Sequence, residues 1–299
     1  MVFDPLHFLS ILYDWLILPF ADYGFMRRAL VGSLAMALGS APIGVLLILR
    51  RMSLMGDAMA HAILPGAAIG FLIAGLSLVA MTIGGLIAGL AVMLIAGVIS
   101  RVTPQKEDAS LAAFYLLSLA LGVLIVSMRG SNIDLLHVLF GTVLAIDDTA
   151  LLLIASIATI TLLSLALIYR PLIVECFDPQ FLRSVGGRGL TCHLIFLTLV
   201  VLNLVGGFHA IGTLMVVGIM MLPAAAARFW SSDVWRLMML ATGISCLSCI
   251  AGLLASYHFE LPSGPAIILA AGCIYLASLF VGPRGGLLVS LVPRRHFKA

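Results

Sequence analysis

Long apolar segments, separated by short polar stretches, make up most of this chain. The segments are continuously apolar, whereas a strand of a membrane barrel alternates apolar and polar residues over about 10 positions. An α-helix needs about 20 apolar residues to cross the hydrocarbon core of a membrane. The pattern predicts nine spanning helices, with eight as the alternative because the second and third segments nearly touch. Their ranges are 29–49, 57–76, 79–100, 109–128, 149–169, 191–207, 211–228, 235–257 and 264–282.

The composition excludes a water-soluble fold. Of the 299 residues, 63% are hydrophobic and 10% are charged, compared with roughly 25% charged residues in a soluble domain. A soluble protein of this length could not remove so much apolar surface from water. The sequence therefore predicts an all-α, polytopic transmembrane helical bundle, and it excludes a soluble enzyme and a nucleic-acid-binding protein.

The two ends of the chain differ from its apolar middle. Residues 5–20 contain Pro5, Trp15 and Pro19 and suit a helix that lies at the membrane interface. We therefore expect three parts: an N-terminal interfacial segment at 1–28, a transmembrane domain at 29–285, and a cytoplasmic tail at 286–299.

The basic residues predict an orientation in the membrane. If Arg50 and Arg51 follow the first span on the cytoplasmic side, 13 of the 16 Lys and Arg residues lie in the cytoplasm. The remaining three, Arg27, Arg28 and Arg129, lie outside. Because loops rich in Lys and Arg stay in the cytoplasm, the N-terminus is predicted outside and the C-terminus inside.

Asp57 and His61 are the polar pair that best fits a site within the membrane. Their spacing places both side chains on one face of a helix, and an ionisable residue at membrane depth indicates function. A carboxylate with an imidazole suits an ion such as Zn²⁺ or Mn²⁺. Pro65, followed by Gly66, predicts a break in this helix, which is tolerated beside protein or a water-filled cavity. In the alternative interpretation, Asp57 caps the helix and His61 is a buried, hydrogen-bonded histidine.

Three further polar residues lie in or near the outward loops. They are His209, His258 and Glu260, of which the last two lie close together in sequence. They could contact an incoming metal ion or serve as ordinary interfacial residues, and the sequence leaves both interpretations open.

The longest inner loop, 170–190, contains the signals of a short helix. These signals are a capping acid, a proline in the first turn, apolar side chains with a basic neighbour, and a terminal glycine. Such a helix either lies on the membrane or docks into a groove of a soluble partner. The residues concerned are Asp178, Pro179, Phe181, Leu182, Arg183 and Gly186.

Several segments resemble one known family. They are RRMSLMGDAMAHAILPG (50–66), KEDASLAAF (106–114), DLLHVLFGTVLAID (134–147), FDPQFLRSVG (177–186), MLPAAAARF (221–229), LPSGPAI (261–267) and PRGGLL (283–288). In this order they resemble the membrane permeases of ATP-binding cassette (ABC) importers for zinc, manganese or ferrous iron. The chain has no G-x-x-x-x-G-K-[ST] loop, so an ATPase would have to be a separate polypeptide.

The resemblance implies partners, cargo and site residues. Such permeases pair with a second copy or a paralogue in the bacterial inner membrane. Two cytoplasmic ATPases dock on the helix that corresponds to 178–186, and an extracytoplasmic solute-binding protein delivers the metal. The metal is cargo, no cofactor is permanently bound, and the partner subunit uses the ATP. The family's pathway residues match Asp57 and His61, whereas no family role extends to His209 or His258.

A second function class remains open from the residues alone. An ATP-independent secondary carrier or channel for divalent cations would use Asp57 as a proton or cation relay. An intramembrane enzyme finds little support, because no H-E-x-x-H pair occurs and no serine is paired with a base in the sequence.

Overall fold

The predicted apolar segments are all helical in the computed structural model of the chain. The structure describes residues 13–52, 55–75, 77–104, 107–128, 143–184, 187 and 189–288. Within these residues the helices are α1 (Leu18–Asp22), α2 (Gly24–Leu49), α3 (Met55–Ala62), α4 (Leu64–Ala74), α5 (Leu78–Val102), α6 (Glu107–Met128), α7 (Asp148–Phe177), α8 (Pro179–Ser184), α9 (Gly189–Ile211), α10 (Thr213–Ala227), α11 (Val234–Phe259) and α12 (Ser263–Val281).

The helices confirm an all-α, polytopic membrane fold. In the described part of the chain, seven helical segments are long and apolar enough to cross a membrane, with α3 and α4 counted together. Two shorter apolar helices lie within Ala109–Ile125 and Thr213–Ala227. Each of the nine predicted segments therefore corresponds to a helix or a broken helix.

Helix α2 lies at the centre of the bundle and packs against α7, α10 and α11. Its apolar window is 72% buried, compared with 22% for α5. A Cβ atom added at Gly44 would overlap the backbone carbonyl of Met220 on α10, so only glycine permits this close approach. In a membrane, where lipid is as apolar as the helices, such close packing drives helix association.

Glycine also brings α4 and α5 into contact. A Cβ atom added at Gly66 would overlap the carbonyl oxygen of Gly84, and one added at Gly84 would overlap that of Gly66. The two backbones therefore touch directly at this point. This contact fixes the position of α4 immediately after the helix that carries Asp57 and His61.

Helices α2 and α7 begin at the same end of the bundle. Arg28 Nη1 lies 3.4 Å from Asp148 Oδ1, which joins their first turns. Helix α2 begins at Gly24 rather than at residue 29, because Tyr23 before it is extended, with φ −109° and ψ 114°. Arg27 and Arg28 therefore lie at the start of α2 instead of preceding it.

A single residue, Gly212, separates α9 from α10. Its φ of 92° lies in the region that glycine adopts without steric penalty. The chain reverses direction at Gly212. Gly207 on α9 and Val216 on α10 are so close that a Cβ at Gly207 would overlap the Val216 side chain.

Candidate functional site

The second apolar segment is broken between α3 and α4, as the sequence predicts. Pro65 has no N–H to donate, so it interrupts the hydrogen-bond ladder of the helix. At the break, the buried Ser118 hydroxyl on α6 donates a hydrogen bond of 2.9 Å to the carbonyl oxygen of Ala62. Because neighbouring helices must satisfy backbone groups that a break frees at membrane depth, α6 supports the break.

Asp57 and His61 lie together on α3. Asp57 Oδ1 is 3.9 Å from His61 Nε2, and the two side chains are 68% and 31% exposed. This distance is too long for a hydrogen bond. Two ligands that each lie about 2.1 Å from one ion can be at most about 4.2 Å apart. The pair can therefore bind the same ion with little movement.

The position of Asp57 does not fit the capping interpretation. Helix α3 begins at Met55, so Asp57 lies inside the first turn rather than before it. The positive end of the helix dipole still favours a carboxylate there. His61 lies in the last turn, and its ring stacks beside that of Tyr115 on α6, with centroids 6.1 Å apart and planes 29° from parallel.

Among the described residues, no group of three or more His, Cys, Asp and Glu side chains is arranged to hold a metal ion. Asp57 and His61 would therefore supply two ligands to a divalent ion. Mn²⁺ and Zn²⁺ take four to six ligands, so water or a second protein surface would complete the shell. An ion held by two protein ligands is weakly bound, which suits passage more than storage.

Of the three polar residues near the outward loops, His258 and Glu260 are described by the structure. His258 Nε2 is 3.0 Å from the carbonyl oxygen of Trp15, and its ring stacks on the Trp15 ring at 4.0 Å. Glu260 ends α11 with a left-handed φ of 52°. The contacts with Trp15 favour the interfacial interpretation for His258. The side chain of His209 lies outside the described residues.

The inner loop forms the short helix α8, close to the predicted range. The N–H of Phe181 donates to Asp178 Oδ1 at 2.8 Å, so Asp178 caps the helix as predicted. Pro179 is its first residue. Phe181 is 54% exposed, whereas Leu182 is half-buried. Gly186 and the side chain of Arg183 lie outside the described residues.

Arg50 contacts three residues that are distant in sequence, and the sequence did not reveal these contacts. Its Nη1 donates to Nδ1 of His193 at 2.6 Å, its Nε donates to Sγ of Cys176 at 3.1 Å, and its guanidinium carbon lies 4.7 Å from the centre of the Phe196 ring. These contacts join the end of α2 to the end of α7 and the start of α9, the two helices that flank α8. Because the partners are far apart in sequence, only the fold brings them together.

The chain is similar over most of its length to known membrane proteins of one family. Residues 22–282 of the chain match the sequence model of the ABC 3 transport family. The manganese import system permease protein ScaB of Streptococcus parasanguinis is 31% identical over 263 residues, which cover 88% of this chain and 92% of ScaB. The manganese transport system membrane protein MntC of Listeria innocua is 34% identical over 269 residues, covering 90% and 95%.

A solved structure has the same fold. PsaBC from Streptococcus pneumoniae, in complex with Fab, aligns with a TM-score of 0.80 and 28% sequence identity, over 91% of this chain and 97% of that chain. The molecule is thus a polytopic membrane protein of the transporter class. The chain belongs to the ABC 3 transport family.

Proposed function

We infer that this chain is the membrane permease subunit of an ABC importer for a divalent transition metal, with manganese as the first candidate. The Asp57 and His61 pair, 3.9 Å apart on a broken helix, is the observation that carries the proposal. The carboxylate oxygen suits Mn²⁺, whereas the imidazole nitrogen suits Zn²⁺ and Fe²⁺. The names of the manganese permeases to which the chain is similar favour manganese over zinc or ferrous iron.

The permease couples to a separate ATPase through α8. In this proposal Phe181 enters a groove of the ATPase, since 54% of this large apolar residue is exposed on a helix at the end of the bundle. Capping by Asp178 and the proline at the first position make α8 rigid enough to transmit a movement. The ATPase therefore supplies the energy, and the permease performs no catalysis of its own.

A second permease copy, or a paralogue, completes the ion path. The side chain of Asp57 is 68% exposed although α3 belongs to a membrane-spanning segment. A second copy on this face would bring a second pair of ligands towards the exposed carboxylate. An extracytoplasmic solute-binding protein would deliver the ion to the outer end.

The proposed topology follows the charge pattern. The N-terminal segment at 1–28 lies at the outer interface, the permease domain spans 29–285, and the tail at 286–299 lies in the cytoplasm of a bacterium. The end of the bundle that carries Arg50 and α8 is then cytoplasmic, where an ATPase can reach it.

Uptake of radiolabelled Mn²⁺ tests this proposal directly. Proteoliposomes that contain the permease with its ATPase and binding protein should accumulate Mn²⁺ when ATP is present at the ATPase side. Vesicles that contain an ATPase variant unable to hydrolyse ATP are the control. Uptake by this chain alone, driven by a proton gradient, would instead establish the ATP-independent carrier. Competition by unlabelled Zn²⁺ and Fe²⁺ ranks the metals.

A further inference from the structure

An apolar groove runs between α7 and α11, and α2 forms its floor. The groove has a volume of about 590 Å³, within the range of about 300–1,000 Å³ that is usual for ligand sites. Leu38 and Pro42 lie at its floor, and Ala166 and Met239 lie on its two walls. Since α7 and α11 both pack against α2, the groove is the space that remains between them.

Two aromatic residues mark one end of this groove. Tyr169 on α7 and Trp235 on α11 both line it, and their rings meet edge to face with centroids 6.1 Å apart. Trp235 is 62% exposed. Tyr and Trp concentrate at the level of the lipid head groups. This end of the groove therefore lies at head-group depth, while the rest extends into the hydrocarbon.

An arginine follows each aromatic residue. Arg170 comes directly after Tyr169, Arg236 comes directly after Trp235, and both arginines are exposed. Arg236 Nε also lies 3.3 Å from Asp233 Oδ2, in a pair whose side chains are 74% and 64% exposed. An ion pair so accessible to water is weak, so Arg236 can also bind a phosphate.

We propose that this groove binds an anionic phospholipid, with one acyl chain between α7 and α11 and the phosphate at Arg170 and Arg236. Basic sites between transmembrane helices on the cytoplasmic side bind anionic head groups in this way. The two positive charges next to Tyr169 and Trp235 argue for an anionic lipid, because its phosphate complements them.

The lipid site is separate from the proposed ion path. Helix α3, which carries Asp57 and His61, packs mainly against α6, α9 and α10, whereas the groove is formed by α2, α7 and α11. The proposal therefore does not depend on which ion the protein carries. A bound lipid would occupy the space between α7 and α11 and hold the two helices at a fixed separation.

Fluorescence quenching of Trp235 tests the site. The chain has three tryptophans, so replacing Trp15 and Trp230 by Phe leaves Trp235 as the single reporter. The full chain with these two substitutions is reconstituted in phosphatidylcholine vesicles that contain a small, equal fraction of either brominated phosphatidylglycerol or brominated phosphatidylcholine. We expect stronger quenching by phosphatidylglycerol, with a preference of about fivefold for each arginine.

Three variants separate the parts of the site. The double variant Arg170→Gln/Arg236→Gln should bring the preference for phosphatidylglycerol to about one. The matched control, Arg27→Gln/Arg28→Gln, removes the same charge at the opposite end of the bundle and should retain the preference. Ala166→Phe keeps both arginines but fills the groove, and it should abolish the excess quenching by phosphatidylglycerol.

The same measurements can overturn the proposal. Equal quenching by the two lipids in the parent protein would exclude an anionic lipid site. A preference that survives in the Arg170→Gln/Arg236→Gln variant would place the head group elsewhere. Absence of quenching by either lipid would mean that another protein surface covers the groove. Gel filtration of each variant establishes that it is folded.

Discussion

The hydroxyl of Ser118 on α6 donates a hydrogen bond of 2.9 Å to the carbonyl oxygen of Ala62, where the second apolar segment breaks. A Cβ atom added at Gly122, one turn further along α6, would lie 3.1 Å from the backbone nitrogen of Pro65. Helix α6 thus packs closely against the break and satisfies one of its backbone groups. The break that positions Asp57 and His61 depends on this neighbour as well as on Pro65.

Replacing Ser118 by Ala should destabilise the bundle, because the buried carbonyl of Ala62 then lacks its donor. The expected loss is about 1 kcal/mol in the free energy of unfolding, which is typical of a hydrogen bond between membrane helices. Thermal unfolding in detergent measures it. Thr159→Ala is the control, since the exposed Thr159 hydroxyl donates at 2.8 Å to Ala155 within its own helix. Equal effects of the two substitutions would remove the special role of Ser118.

Asp57→Asn and His61→Ala should each reduce Mn²⁺ uptake without reducing the amount of assembled transporter. Loss of a charged ligand weakens binding by about 1.5–3 kcal/mol, so the expected decrease at low Mn²⁺ is about tenfold or more. Uptake of radiolabelled Mn²⁺ by a deletion strain that expresses each variant measures it.

Asp148→Asn is the matched control for the carboxylate. Asp148 is 82% exposed and pairs with Arg28 at the opposite end of the bundle from α8, so uptake should change little. If the Asp57 and His61 variants import Mn²⁺ at the rate of the parent protein, the ion does not pass along this pair.

Gly44→Ala should prevent the close approach of α2 and α10. The added Cβ would meet the backbone carbonyl of Met220, which cannot move as a side chain can, and such overpacking costs about 1–3 kcal/mol or more. At Gly243 on α11, an added Cβ meets nothing within 4 Å. Gly243→Ala should therefore be neutral or stabilising. A thermal unfolding comparison in which both variants behave alike would contradict this account of the packing.

The helices could be predicted from the sequence because membrane-spanning segments are encoded locally, by continuous apolar residues. The break at Pro65 and the cap at Asp178 could also be predicted, since each depends on neighbours within one helical turn. The start of α2 was not predicted, because Tyr23 is extended and Arg28 turns towards Asp148, which lies far away in the chain.

The surroundings of the candidate sites could not be predicted in the same way. The spacing of Asp57 and His61 indicates a pair, but nothing in the sequence reveals that Tyr115 and Ser118 lie beside it. Likewise, the sequence predicts only that Arg50 is a cytoplasmic charge. It does not reveal its partners Cys176 and His193, which lie on two distant helices. Such contacts arise from helix packing, for which a single sequence contains no periodic signal.

Phe181→Glu should prevent docking of the ATPase on α8. A charge at this exposed position would have to be desolvated in an apolar groove, at a cost of a few kcal/mol. Copurification with the ATPase measures the effect, and ATP-dependent uptake should fall with it. Phe259→Glu is the control, because Phe259 is 65% exposed at the opposite end of the bundle and should not alter copurification. Undiminished copurification of the Phe181 variant would place the docking surface elsewhere.

Arg50→Lys should weaken the link between α2 and the two helices that flank α8. Lysine keeps the charge but lacks the planar guanidinium, which in Arg50 bonds to His193 at 2.6 Å and to Cys176 at 3.1 Å at the same time. We expect a loss of about 1–3 kcal/mol in the free energy of unfolding, as for other partly buried charged hydrogen bonds. Arg51→Lys, at the exposed next position, should be nearly neutral.

If Arg50 also transmits movement from α8, the ratio of Mn²⁺ imported to ATP hydrolysed should fall in the Arg50 variant alone. An unchanged ratio together with reduced stability would limit Arg50 to a structural role.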